Sequence, residues 1–103
     1  MTMSKSRLAY RQEYDLMDTA MKTDKGSRTH IGSREAAKTY QLRLNMARQL
    51  DRKLNREAFP EGHLLHGASE YDELVFRIKI DTDDEWWVYL EKALAPTVVE
   101  AIE

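Results

Sequence analysis

The chain has 103 residues, of which 42% are apolar and 33% charged. That balance suits one small soluble domain over residues 1–103 and excludes a disordered polar tract. There is no cysteine, so disulfides, thiolate metal sites and cysteine nucleophiles are excluded. No apolar run approaches the roughly 18 residues of a membrane span. The polar N-terminus carries no signal-peptide pattern, so no membrane association and a cytoplasmic location are expected. The net charge of −2 conceals a split, with +6 on residues 1–58 and −8 on residues 59–103. Such a chain can draw an anion to one half, or dock head-to-tail on a second copy as a homo-oligomer.

Taken in chain order, residues 1–5 read as frayed and residues 6–24 as a first helix. Tyr10, Tyr14, Met17 and Met21 recur at helical spacing, and Ser4 or Ser6 can cap the start. Gly26 suits the left-handed position just past the end. The segment KGSRTHIGSR then repeats Gly-Ser-Arg at 26–28 and 32–34. It reads as a solvated connection between helices. Its functional alternative is an anion site formed by Lys25, Arg28, His30 and Arg34 at a helix start. It matches no nucleotide fingerprint, because G-x-x-x-x-G-K-[ST] is missing.

Residues 34–57 read as the main helix, capped by Ser33 with Glu35 in its first turn. Ala36, Ala37, Tyr40, Leu44, Met46, Ala47, Leu50 and Leu54 share one half of the helical wheel. Arg34, Lys38, Gln41, Asn45, Arg48, Arg52 and Arg56 form a stripe opposite, within about 80° of arc at 3.6 residues per turn. Arg43 and Asp51 interrupt the apolar half, so each should reach a partner on another element or extend to the rim. Phe59-Pro60-Glu61-Gly62 ends the helix.

Residues 72–92 read as a β-hairpin turning at Asp81–Asp84. Leu74, Phe76, Ile78 and Ile80 alternate with Glu73, Val75, Arg77 and Lys79. Pairing Ile78 with Trp86, Phe76 with Val88 and Leu74 with Leu90 puts the apolar alternates on one face. The same pairing sets Lys79 against Glu85 and Arg77 against Trp87 on the other face. Trp87 and Tyr89 then lie on that outer face, covered by the first helix or exposed as a partner site. Ala95-Pro96-Thr97 can open a short final helix. The expected fold is α+β: two helices, the longer one basic on its exposed face, packed against a C-terminal antiparallel hairpin.

The basic stripe is the strongest functional signal. Its cations can track phosphates, and Gln41 and Asn45 can meet base edges in a major groove. Few acids on the helix neutralise it, and an acidic protein surface is the competing ligand. His63 and His66 with Glu61 match no metal pattern, and Asp81, Asp83 and Asp84 lack the loop of an EF-hand. No metal or cofactor is expected. No serine sits in G-x-S-x-G, and the paired carboxylates are adjacent and exposed in character, so no catalytic constellation is recognisable.

Residues 43–77, RLNMARQLDRKLNREAFPEGHLLHGASEYDELVFR, resemble small uncharacterised proteins encoded by bacteriophages and prophages. Leu50-Asp51-Arg52, Asn55, Phe59-Pro60-Glu61-Gly62-His63, Gly67 and Tyr71-Asp72 carry the likeness, which covers about a third of the chain. The resemblance implies no defined activity, but it points to an accessory protein that binds a host factor or nucleic acid. The expectation is therefore a non-enzymatic binding protein. It would engage nucleic acid or another anionic surface through Arg28, Arg34, Lys38, Gln41, Asn45, Arg48, Arg52 and Arg56. The alternative is a protein-interaction module, such as an inhibitor of a host or defence protein, that uses Trp87 and Tyr89.

Overall fold

The computed structural model describes residues 8–93, and the periodicities of the chain account for most of its elements. Helix α1 spans Arg11–Met21 and helix α2 spans Arg34–Ala58. Strand β1 covers Gly26–Ile31, β2 Leu74–Ile80 and β3 Trp86–Lys92, with a 3-10 turn at Glu70–Glu73 before β2. The strands form one antiparallel sheet in the order β1-β3-β2. The fold is α+β, with both helices on one face of the sheet. Tyr14, Met17 and Ala20 of α1 and Ala37, Leu44 and Ala47 of α2 share a core with Leu74, Phe76, Val88 and Leu90.

The long helix begins as its sequence dictates. Ser33 is extended, and its hydroxyl accepts the Ala36 amide at 3.1 Å, satisfying one of the unpaired donors at a helix start. Its two misplaced charges both find partners. Arg43 pairs with the buried Glu13 of α1 at 3.1 Å and donates to the Ala9 carbonyl. Asp51 is buried and accepts the Ser69 hydroxyl at 2.6 Å. These contacts fix where α1 and the loop before β2 sit against α2. Met46, expected in the apolar half, is instead exposed beside Leu42. With Tyr10 and Leu50 they line a shallow groove of about 540 Å³ between α2 and the start of α1.

Three expectations are corrected. The segment 26–31 is a strand rather than a helix connection, and Gly26 starts it rather than terminating α1. Gly26 has φ +99°, and a Cβ there would lie 1.9 Å from the Leu90 carbonyl oxygen, so only glycine fits. The hairpin register is also two residues from the expected one: Ile80 pairs with Trp86, Ile78 with Val88, Phe76 with Leu90 and Leu74 with Lys92. On the outer face Lys79 therefore opposes Trp87, and Arg77 opposes Tyr89. The turn is the cause. Asp84 adopts φ 59° and its amide bonds the Asp81 carbonyl, while the Asp81 amide bonds the Glu85 carbonyl, giving a three-residue loop. The first helix is shorter than 6–24, and Tyr10 at its N-cap makes no side-chain capping bond. Its proposed caps Ser4 and Ser6 and the expected helix after Ala95 lie outside the described residues.

Candidate binding surfaces

The basic stripe of α2 does not form one open surface. Its middle runs along the free edge of β2. Gln41 Nε2 donates to the Phe76 carbonyl at 2.8 Å. The Arg48 guanidinium donates to the Leu74 carbonyl at 2.6 Å and to the Tyr71 carbonyl at 3.1 Å, and lies 4.4 Å over the Phe76 ring. Asn45 holds it from the side, accepting from Arg48 Nη2 while donating to the Gln41 carbonyl. Burial lowers the Arg48 pKa below its ordinary value, and neighbouring Arg52 adds to the effect. Arg52 pairs with Asp72 of the 3-10 turn at 2.6 Å. Asp72 in turn accepts the Ser69 amide in a capping box. Arg34 and Lys38 at one end and Arg56 at the other are exposed, without an ion pair among the described residues.

The face of the sheet opposite the helices is the second surface. Alternation sends Arg28 and His30 of β1, Trp87, Tyr89 and Glu91 of β3, and Val75, Arg77 and Lys79 of β2 to this side. The helices pack on the other face, so α1 does not cover Trp87 and Tyr89. Both rings are half-buried by their own neighbours. The Arg28 guanidinium lies 4.0 Å over Trp87 and donates to the Tyr89 hydroxyl at 3.1 Å. Lys79 Nζ lies 4.4 Å over Tyr89. Trp87 is further fixed by His30 edge-on at 5.0 Å, and by Asp81 Oδ2, which accepts its indole N–H at 2.8 Å.

The charges on this face are largely internally matched. Glu91 meets Arg77 at 3.0 Å and Lys79 at 3.2 Å. His30 Nε2 lies 2.7 Å from Glu85 Oε2. The Asp81 carboxylate accepts two backbone amides of its own turn besides the indole. Those bonds hold its pKa below the usual carboxylate range, the Glu85 amide contributing most. Arg28 is the cation here that makes no direct ion pair among the described residues, although its charge also helps to lower the Asp81 pKa.

The chain thus separates residues that were grouped by charge and groups residues that were apart. Arg28 joins Trp87 and Tyr89 rather than the helix stripe. Arg77, Lys79 and His30 join the same face. Arg77 and Lys79 were already on the outer side of the hairpin pattern. His30 was recoverable from the alternation of Ser27, Thr29 and Ile31 with Arg28 and His30. His63 and His66 serve their loop: His63 Nδ1 accepts the Leu65 amide and its ring stacks on Phe59, while His66 Nδ1 bonds the Phe59 carbonyl. Among the described residues no group of three or more His, Cys, Asp or Glu is placed to hold a metal ion, and no helix is long and apolar enough to cross a membrane. No family model matches the chain, and no curated protein or solved structure does.

Proposed function

We propose that this protein is a non-enzymatic binding module of the cytoplasm that docks a protein partner on its open sheet face. It would be an accessory factor of the kind its resemblance to phage proteins implies, with inhibition of a host or defence protein as the outcome of docking. One observation carries the proposal: Trp87 and Tyr89 stand at the centre of a sheet face that no described element covers, each with a cation stacked on its ring. Tryptophan, tyrosine and arginine are the residues that dominate binding energy at protein interfaces. Here their rotamers are held in advance, which lowers the ordering cost of association. The near-balance of charge around the rings favours a protein over a nucleic acid, whose affinity would need several uncompensated cations. Arg28 is positioned to receive a carboxylate of the partner beside the Trp87 ring.

Pull-down of partners with the purified chain tests this. Trp87→Ala and Arg28→Glu should each lose a partner that the wild type and an Arg34→Glu, Lys38→Glu variant retain, with circular dichroism confirming the fold. Retention of every partner by a folded Trp87→Ala, Tyr89→Ala variant would sink the proposal.

A second reading has its own support. Arg34, Lys38 and Arg56 are exposed and unpaired among the described residues, so nucleic acid can lie along the ends of α2. A mobility-shift titration at low salt against duplex DNA, single-stranded DNA and RNA decides it. Binding that falls steeply with salt and disappears in Arg34→Glu, Lys38→Glu supports it, and no shift with any of the three refutes it.

A further inference from the structure

The two edges of the sheet are treated differently. The hydrogen-bond phase can be worked out from the turn. Asp81 and Glu85 form a bonded pair, and so do Glu73 and Ala93 at the other end. Bonded and non-bonded pairs alternate along antiparallel strands. Residues 75, 77 and 79 therefore bond to β3, while Leu74, Phe76, Ile78 and Ile80 turn their backbone groups outward. Two of those outward carbonyls, Leu74 and Phe76, are taken by Arg48 and Gln41. The β2 edge is thus partly sealed by side chains of α2.

At the other edge the same alternation points Ser27, Thr29 and Ile31 at β3 and turns Arg28 and His30 outward. The bond between the Lys92 amide and the Lys25 carbonyl agrees with that phase. Gly26 is capped on both sides by the Thr23 hydroxyl. The amides and carbonyls of Arg28 and His30 have no partner among the described residues. Soluble proteins usually blunt such an edge with proline, a bulge or a covering element. Beyond Gly26, β1 carries neither proline nor a described covering bond.

We infer that a second copy of this chain adds to the sheet at β1, antiparallel and about a two-fold axis through Thr29. The open groups lie symmetrically on either side of Thr29, so this register satisfies all of them: Arg28 of one copy exchanges both backbone bonds with His30 of the other, twice over. An interface of this kind is self-complementary, as two-fold symmetry requires. Charge agrees with the register. It sets Arg28, which makes no direct ion pair among the described residues, opposite His30 of the second copy. That His30 holds the half-exposed Glu85 at 2.7 Å. On the helix side Thr29 meets Thr29, a favourable cross-strand pair. The product is a continuous six-stranded sheet carrying both Trp87–Tyr89 surfaces on one side. The inference does not depend on that surface capturing another protein.

Sedimentation of the full chain across a concentration series tests the inference. The wild type should reach a dimer. His30→Pro removes an outward amide, which an edge strand tolerates, and should remain monomeric with an unchanged circular-dichroism spectrum. Arg28→Glu sets two carboxylates together across the two-fold and should weaken dimerisation at least about tenfold. Adding Glu85→Arg should restore it, because the charges are then exchanged between copies. Hydrogen exchange gives a readout free of substitutions: the Arg28 and His30 amides should become protected as concentration rises. A wild type that stays monomeric, a dimer untouched by His30→Pro, or Arg28 and His30 amides that exchange freely in the dimer would each overturn the inference.

Discussion

Arg48 offers the sharpest test of how this domain is held together. Arg48→Met keeps the aliphatic stem and removes the guanidinium. Two bonds to backbone carbonyls are lost, at 2.6 and 3.1 Å, together with the stacking on Phe76. A hydrogen bond involving a charged group contributes about 1.5–3 kcal/mol, and a partly desolvated cation–π contact about 1 kcal/mol. Water can reach the freed carbonyls on this open edge and recover part of the loss. The expected net destabilisation is about 3 kcal/mol, which lowers Tm by roughly 12–24 °C in a domain of this size. Arg48→Lys keeps the charge but not the planar fork, so it should recover about half of that. Urea denaturation followed by tryptophan fluorescence reads both values, with Arg34→Met as an exposed control expected within about 0.5 kcal/mol of wild type. If Arg48→Met were also within that margin, the claim that α2 seals the β2 edge would be wrong. The outcome bears on function too. Loss of nucleic-acid binding in an Arg48→Glu, Arg52→Glu variant would report a damaged fold, so Arg34 and Lys38 are the positions to change.

Two other predictions follow from local geometry. Gly26→Ala drives a Cβ into the Leu90 carbonyl oxygen at a positive φ. It should cost about 2–3 kcal/mol or more and loosen β1 selectively, seen as faster exchange of the Thr29 and Ile31 amides than of the β2 amides. Asp81 has a depressed folded-state pKa, so the stability it contributes is complete above the ordinary carboxylate range and is lost as pH falls through the folded value. Asp81→Asn should therefore flatten the acid limb of the stability–pH curve below the ordinary carboxylate range. An unchanged acid limb would show that the turn does not depend on that carboxylate.

What could be read in advance follows from which interactions are local. Ser33 and the helical period of residues 34–57 act within a few residues, and α2 begins with that cap. Arg43 and Asp51 announced long-range partners because an unpaired charge on an apolar face is costly, but nothing in the pattern named Glu13 or Ser69. The faces of the hairpin were legible because the side-chain period is 2. The register was not, because a slip of two residues leaves every side chain on the same face. The turn chose between the alternatives: Asp81 accepts the Asp83 and Glu85 amides, and Asp84 takes the left-handed conformation. β1 was hidden for a different reason. Its residues are Gly, Ser, Arg, Thr, His and Ile, mostly not strong strand formers, and the strand exists through its pairing with β3.

The stripe on α2 shows why charge pattern alone ranks surfaces poorly. A row of arginines facing away from a helix's apolar half predicts an anionic partner, and the partner can be a phosphate or a carboxylate. It can equally be a backbone carbonyl, which leaves no mark in the sequence because every residue has one. The free edge of β2 supplies a row of carbonyls pointing outward, and Gln41 and Arg48, two turns apart on one face of α2, reach them. Asp72 completes the set by taking Arg52. Arg28, from a segment without helical periodicity, is by contrast the cation left on an open face beside two aromatic rings. A cation in a folded domain is available to an outside ligand only after the carbonyls and carboxylates of its own chain have been counted. By that count the middle of the long helix is spent on contacts within the chain, and the sheet face is the surface on which the proposed docking rests.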